Sequence, residues 1–152
     1  MAAIAFAGAC SERTASSIAA VQGRAAAATA SAEQGMKVTI IINDRQLIAT
    51  LDDSAASRGF AALLPLDLTL SDYHRTEKIA DLPARLSTTG APDGIDPAVG
   101  DIAYYVPWGN LAIFYRDFGY SKGLVRLGRV EGDLGVLDTS GTVSARIERF
   151  KE

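Results

Sequence analysis

From Lys37 onward the chain breaks into short runs in which apolar residues recur at every second position. A period of two predicts strands. Lys37 to Ile42, KVTIII, is β-branched and alternates imperfectly, as suits a strand covered on most of both faces. Asn43-Asp44 reads as a two-residue turn, because both side chains tolerate positive φ. Arg45 to Leu51 then returns with Leu47, Ala49 and Leu51 on one face. Leu66 to Leu70, LDLTL, alternates cleanly, and Ile79 to Leu82 predicts a short strand. Asp101 to Val106 and Leu111 to Arg116 form a central hairpin around the turn Pro107-Trp108-Gly109-Asn110. Gly123 to Val130 is a further strand. Gly141 to Phe150 closes the series, with Val143, Ala145 and Ile147 opposed to Ser144, Arg146 and Glu148.

One segment has helical spacing instead. Ala56, Phe60, Leu63 and Leu64 share a stripe within Ala55 to Leu64. Asp52-Asp53-Ser54 supplies an N-cap with negative charge at the positive helix end, and Pro65 stops it. Gly59 costs about 1 kcal/mol of helix propensity, which points to close packing or a local bend. Glu131 to Thr139 predicts a single helical turn. Between the strands, Ser71 to Lys78 reads as a polar segment on the surface or the rim of a cleft. Pro83 to Gly100 reads as a long loop, and Arg116 to Lys122 as a second. Seven or eight strands with one helix are too many for a small sheet with an open face. Closure into a barrel removes the exposed edges, so the fold class is mainly β.

Composition separates the first 35 residues from this pattern. They are mostly Ala, Ser, Thr and Gly, and bury too little area to offset the entropy of ordering themselves. Residues 1–35 therefore read as a disordered leader or tether, and residues 36–152 as the barrel domain. The single cysteine, Cys10, follows Ala7-Gly8-Ala9 and precedes Ser11-Glu12. That pattern resembles the end of a bacterial lipoprotein signal, where the cysteine is lipidated. Two features depart from it: no Lys or Arg precedes the apolar run, and the run is short. The competing reading is an ordinary free cysteine in a tail. The first places the protein in the periplasm or anchors it to a membrane; the second leaves it in the cytoplasm.

With one cysteine no internal disulfide forms, and with one histidine the usual zinc sites are excluded. No metal or other cofactor is expected. The net charge of −3 provides no basic stripe for nucleic acid. Nucleotide-binding glycine patterns and the Gly-x-Ser-x-Gly elbow are missing.

Several runs carry a family resemblance. Glu77 to Pro83 (EKIADLP), Gly100 to Tyr105, the Pro107-Trp108-Gly109-Asn110 turn and Leu124 to Val130 (LVRLGRV) resemble the bacterial cyclophilin-like proteins, as does the stretch from Asn43 to Leu70. The resemblance spans Lys37 to about Glu148 in order. It implies a closed eight-stranded cyclophilin-like barrel with one short helix and a pocket on its outer wall. True cyclophilins isomerise X-Pro bonds with an arginine that stabilises the twisted amide. Tyr73-His74-Arg75 is superficially similar to the Phe-His-Arg run around that arginine. The continuation Thr76-Glu77-Lys78 differs, and no Gln-Gly-Gly follows, so the catalytic role is not carried onto Arg75.

The candidate site residues are aromatic. Alternation puts Tyr104 with Ile102 and Tyr105 with Ala103 on opposite faces of one strand, and Phe114 opposite Ile113 and Tyr115. A large indole in a turn has little core to join, which marks Trp108 as a pocket wall. His74 reads as a solvated histidine without a nucleophile or metal partner. Arg75, Glu77, Lys78 and Asp81 read as a charge run on a solvated face. Arg116-Asp117 is either a local ion pair or an arginine offered to a pocket. The resulting expectation is a binding module without isomerase activity, holding a peptide or small apolar ligand against Tyr73, Tyr104, Trp108, Phe114 and Arg116. The alternative is a peptidyl-prolyl isomerase that uses a non-standard arginine. The sequence does not set the oligomeric state.

Overall fold

The computed structural model describes residues 35–152. Cys10 and the rest of the proposed leader up to residue 34 lie outside them. Ten strands and one helix follow in chain order: β1 (Lys37–Ile42), β2 (Arg45–Leu51), α1 (Ala55–Leu63), β3 (Leu66–Tyr73), β4 (Glu77–Asp81), β5 (Gly94–Ile95), β6 (Asp101–Tyr105), β7 (Asn110–Phe114), β8 (Ser121–Lys122), β9 (Leu124–Glu131) and β10 (Thr142–Arg149). Eight of them close a barrel in the order β1-β10-β3-β4-β7-β6-β9-β2, while β5 and β8 form a separate two-stranded ladder. Every neighbouring pair runs antiparallel. The expected closed eight-stranded barrel with one short helix is therefore the fold.

Alternation decides what fills it. Val38, Ile40 and Ile42 of β1, Leu47, Ala49 and Leu51 of β2, and Ala145 and Ile147 of β10 are all buried in one core. Phe60, Ala56 and Ala61 of α1 join that same core. Ser54 caps the helix by accepting from the Ser57 amide at 3.1 Å. The Asn43 and Asp44 turn has φ of 47° and 66°, the conformation those two side chains tolerate. Gly59 does not mark a tight approach: a Cβ there would meet only Leu86 Cδ2, at 3.5 Å.

Three segments depart from the sequence pattern. Glu131 to Thr139 forms turns closed by bonds such as Leu137 N–H to the Leu134 carbonyl, not a helical turn, although Leu137 is fully buried. The two-residue ladder hidden in the long loops is too short to show a period. The polar run after Ser71 is a surface turn only at His74 and Arg75, which are exposed, while Tyr73 and Glu77 on either side line a cleft. It continues β3 to Tyr73 and opens β4 at Glu77, so Glu77 and Lys78 are both buried.

Lys78 points into the barrel, toward the loop that precedes β10. Its Nζ donates to the Thr139 carbonyl and, at 3.2 Å, to that of Gly141. It also pairs with Asp72 Oδ1 at 3.2 Å, and the Tyr115 hydroxyl donates to the same carboxylate oxygen. That phenol holds the Asp72 carboxyl below the usual range against the opposing effect of burial, with help from Lys78. Burial and the facing carboxylate push the Tyr115 hydroxyl up to about 12.

Candidate functional site

Strands β4, β7, β6 and β9 are consecutive in the barrel wall, and their outward residues are also apolar. Ala103, Ala112, Phe114 and Leu124 are buried there, with Ile79, Tyr105 and Ile95 packed on them, in a cluster separate from the interior. An apolar outer face needs a cover. The β5–β8 ladder supplies part of it through Ile95, and Phe118 lies 6.0 Å from the Phe114 ring. The uncovered part is a cleft of about 130 Å³. Ile79, Ala112 and Leu124 line it, with Tyr73, Tyr105, Trp108 and Phe118 as aromatic neighbours and Glu77 and Asn110 as its polar groups. Two larger depressions, beside Asp67 and Arg146 and beside the start of α1, are edged by exposed charged side chains.

Two turns set the aromatic walls. His74 and Arg75 both take positive φ, 52° and 57°, between Tyr73 and Thr76, whose amide bonds the Tyr73 carbonyl at 3.1 Å. This reversal places Tyr73 at the start of the hairpin, directly opposite Glu77. Trp108 sits in the turn between β6 and β7, which Gly109 closes with φ of 71° and an N–H bond to the Tyr105 carbonyl at 2.8 Å. The indole meets Tyr73 at 5.8 Å and Tyr105 at 5.3 Å between ring centres, nearly perpendicular to both. Edge-to-face pairs of this kind hold rings in fixed relative orientation.

The two polar groups lie at different levels of the wall. Glu77 pairs with Phe114 across β4 and β7, whereas Asn110 pairs with Asp81, four residues further along β4. The separation along the strand is roughly 13 Å at the rise of an extended chain. Glu77 is 8% exposed and Asn110 3%. Glu77 Oε2 and Asn110 Oδ1 are buried without a hydrogen-bond partner. Burial pushes the Glu77 carboxyl up to about 7, since removing water disfavours the anion.

The structure divides the expected site residues. Tyr73 and Trp108 line the cleft. Tyr104 does not: it points into the barrel core at 1% exposure, its hydroxyl accepting from the Leu86 amide at 3.3 Å. Its neighbour Tyr105 faces out. Phe114 is on the outer face but sunk beneath the cleft, fully buried. Arg116 turns away and pairs with Asp138 through two contacts of 3.1 Å. His74 packs its ring 4.2 Å from Tyr73, and Arg75 is exposed in the turn. The sequence reading misses the apolar floor of Ile79, Ala112 and Leu124, the rings of Tyr105 and Phe118, and both polar groups, Glu77 and Asn110. Carrying the alternation back from Ile79 by one more pair of residues puts Glu77 on the outward face.

The comparisons agree on the architecture. No curated protein sequence matches the chain. The solution structure of a hypothetical protein from Archaeoglobus fulgidus is similar, with a TM-score of 0.57 at 18% identity, covering 78% of this chain and 97% of that one. A likeness at that identity concerns the fold alone. The model of the Cyclophilin-like family matches residues 40–148, which is most of the chain and nearly all of its barrel, and the protein belongs to that family.

Proposed function

We propose that the domain is a binding module whose outer-wall cleft holds an apolar group of a peptide or small molecule. The observation that carries this reading is the cleft's own make-up. An apolar floor, aromatic walls and two polar groups without partners match the usual construction of a small-ligand site. Trp108, 56% exposed at the rim, is a large apolar surface waiting for a contact. The residues lining the cleft include no arginine, so the reading is of binding rather than proline isomerisation. The lipoprotein reading of Cys10 adds display outside the cytoplasm; an intact mass from the native host with Cys10 unmodified and Met1 retained would overturn that addition.

Trp108 is the chain's single tryptophan, so its fluorescence reports on the cleft directly. Titration with short peptides carrying apolar side chains should give saturable changes that Ala112→Phe, which fills the floor, abolishes. A protease-coupled assay on an X-Pro peptide separates binding from catalysis. Rate enhancement lost on replacing Arg75 or Arg116 would overturn the binding-only reading.

A further inference from the structure

Above its apolar floor the cleft is lined by electron-rich groups. Among the described residues, three buried side-chain atoms lack a hydrogen-bond partner, and all three are oxygens. One, Asp101 Oδ1, lies 3.5 Å from Arg129 Nε in an ion pair. The other two, Glu77 Oε2 and Asn110 Oδ1, both belong to this cleft. Asn110 Oδ1 can only accept and Glu77 Oε2 accepts once its carboxyl is ionised, so the complement that is missing is a donor. Around them stand Tyr73, Tyr105, Trp108 and Phe118, whose ring faces carry negative potential. The Trp108 plane makes angles of 87° and 85° with Tyr73 and Tyr105, as adjoining walls of a box would. Glu77 is the one charged residue in the lining. Lys78, next to it in sequence, faces the opposite side of the barrel wall and is engaged by Asp72 and two carbonyls.

A buried acid inside an aromatic box is the chemistry that recognises an organic cation. A neutral apolar ligand would fill the floor, exclude water and leave both oxygens unpaired, which is unfavourable. An alkylammonium ion satisfies Glu77, sets its charge against the rings and lays its methylenes on Ile79, Ala112 and Leu124. From the orphaned acceptors and the perpendicular rings around them we infer that the cleft is a site for an organic ammonium group, with Glu77 as the counter-ion and Asn110 accepting from a donor further along the ligand. This rests on the binding reading above and names the class of ligand. Burial keeps the Glu77 carboxyl near its midpoint at neutral pH, so a bound cation draws it to the anion and a proton leaves.

The test uses n-butylammonium, tetramethylammonium and, as the uncharged control, 1-butanol, each titrated into the full chain at constant ionic strength while Trp108 fluorescence is followed. The expected result is saturable binding of the cations, with n-butylammonium at least about tenfold tighter than the alcohol and tetramethylammonium, which has no N–H to donate, between the two. Glu77→Gln keeps the shape of the side chain and should bring the cations down to the alcohol, with circular dichroism confirming that the variant is folded. Alcohol binding as tight as that of the cations, or a cation preference that survives Glu77→Gln, overturns the ammonium assignment and leaves the cleft as an apolar site. If none of the three probes perturbs Trp108, the assignment also falls; the apolar-peptide titration then decides separately whether the cleft binds anything.

Discussion

Glu77 and Lys78 are consecutive residues of β4 that face opposite sides of one barrel wall. Glu77 faces the outer cleft with a carboxylate oxygen that has no partner, while Lys78 faces inward and is bonded to Asp72 and the carbonyls of Thr139 and Gly141. Strand alternation is the whole cause of the difference. One polar group was left without a partner where a ligand can reach it, and the other is paired where none can.

The first consequence concerns alkaline pH. The folded Glu77 carboxyl is raised to about 7 from 4.5 by burial, so the folded state binds the proton more tightly than the unfolded chain. Its contribution is fully present below the unfolded value and is lost as pH rises through about 7. Glu77→Gln removes that loss. Urea denaturation at pH 5 and pH 8 should show similar stability for the two proteins at the lower pH. At pH 8 the variant should be ahead by about 1–3 kcal/mol, allowing for screening by water in the open cleft. A constant difference across the two pH values would mean that Glu77 does not titrate in this window.

Lys78 predicts a loss of stability where Glu77 predicts a gain. Lys78→Met keeps the straight stem in the barrel and deletes the ammonium, leaving two carbonyls without their donor and Asp72 with only the Tyr115 hydroxyl and the Arg75 amide. Denaturant unfolding should register a loss of about 2–4 kcal/mol, in the range for removing one partner of a buried pair. The Trp108 emission of the folded protein should stay unchanged, because Lys78 does not reach the outer wall. A stability loss below about 0.5 kcal/mol, the level of an exposed pair, would show that the interior pair is solvated in solution.

Tyr115→Phe isolates the third member of that cluster. The phenol hydrogen bond is the largest influence lowering the Asp72 carboxyl, ahead of burial and Lys78. A lowered carboxyl contributes stability that is present above the unfolded value of 3.8 and is lost as pH falls through the folded value. The variant should therefore be less stable by about 1.5–3 kcal/mol at pH 7, the size of a hydrogen bond to a charged group. The gap should narrow as acid protonates Asp72. Thermal melts at pH 7 and pH 3 read both values; a gap that widens in acid would contradict the assignment.

These residues also show where the sequence runs out. The barrel is legible because its inward positions, such as Leu47, Ala49 and Leu51, repeat every second residue and α1 does not. The cleft lies on the outside of the same wall. There alternation establishes that Tyr104 and Tyr105 face opposite ways, but not which of them faces in. The choice falls on the wrong neighbour because both are the same residue type, and only the pairing of β6 with β7 and β9 fixes the sense. Glu77 and Lys78 read as a solvated charge run because what they pack against is remote in the chain: Phe114 of β7 across from Glu77, and the Thr139–Gly141 loop bonded to Lys78. Asn110 reads as a turn residue, yet it is the first residue of β7.

Two glycines make a final contrast between propensity and packing. Gly59 lies within α1, and a Cβ there would sit at ordinary contact distance, 3.5 Å, from the flexible end of Leu86. Gly59→Ala should raise stability by about 0.5–1 kcal/mol through helix propensity and a less flexible unfolded chain. Gly128 sits where β9 carries an extra residue, Leu127, against β6, since Ile102 pairs with Gly128 and Ala103 with Arg126. A Cβ on Gly128 would lie 2.3 Å from the Thr50 carbonyl oxygen and 2.7 Å from Leu51 Cα, both backbone atoms of β2 that cannot yield without opening the barrel. Gly128→Ala should therefore cost about 1–3 kcal/mol, the overpacking range, and lower the melting temperature where Gly59→Ala raises it. Equal and small shifts in the two variants would show that β2 and β9 are looser than this close approach requires.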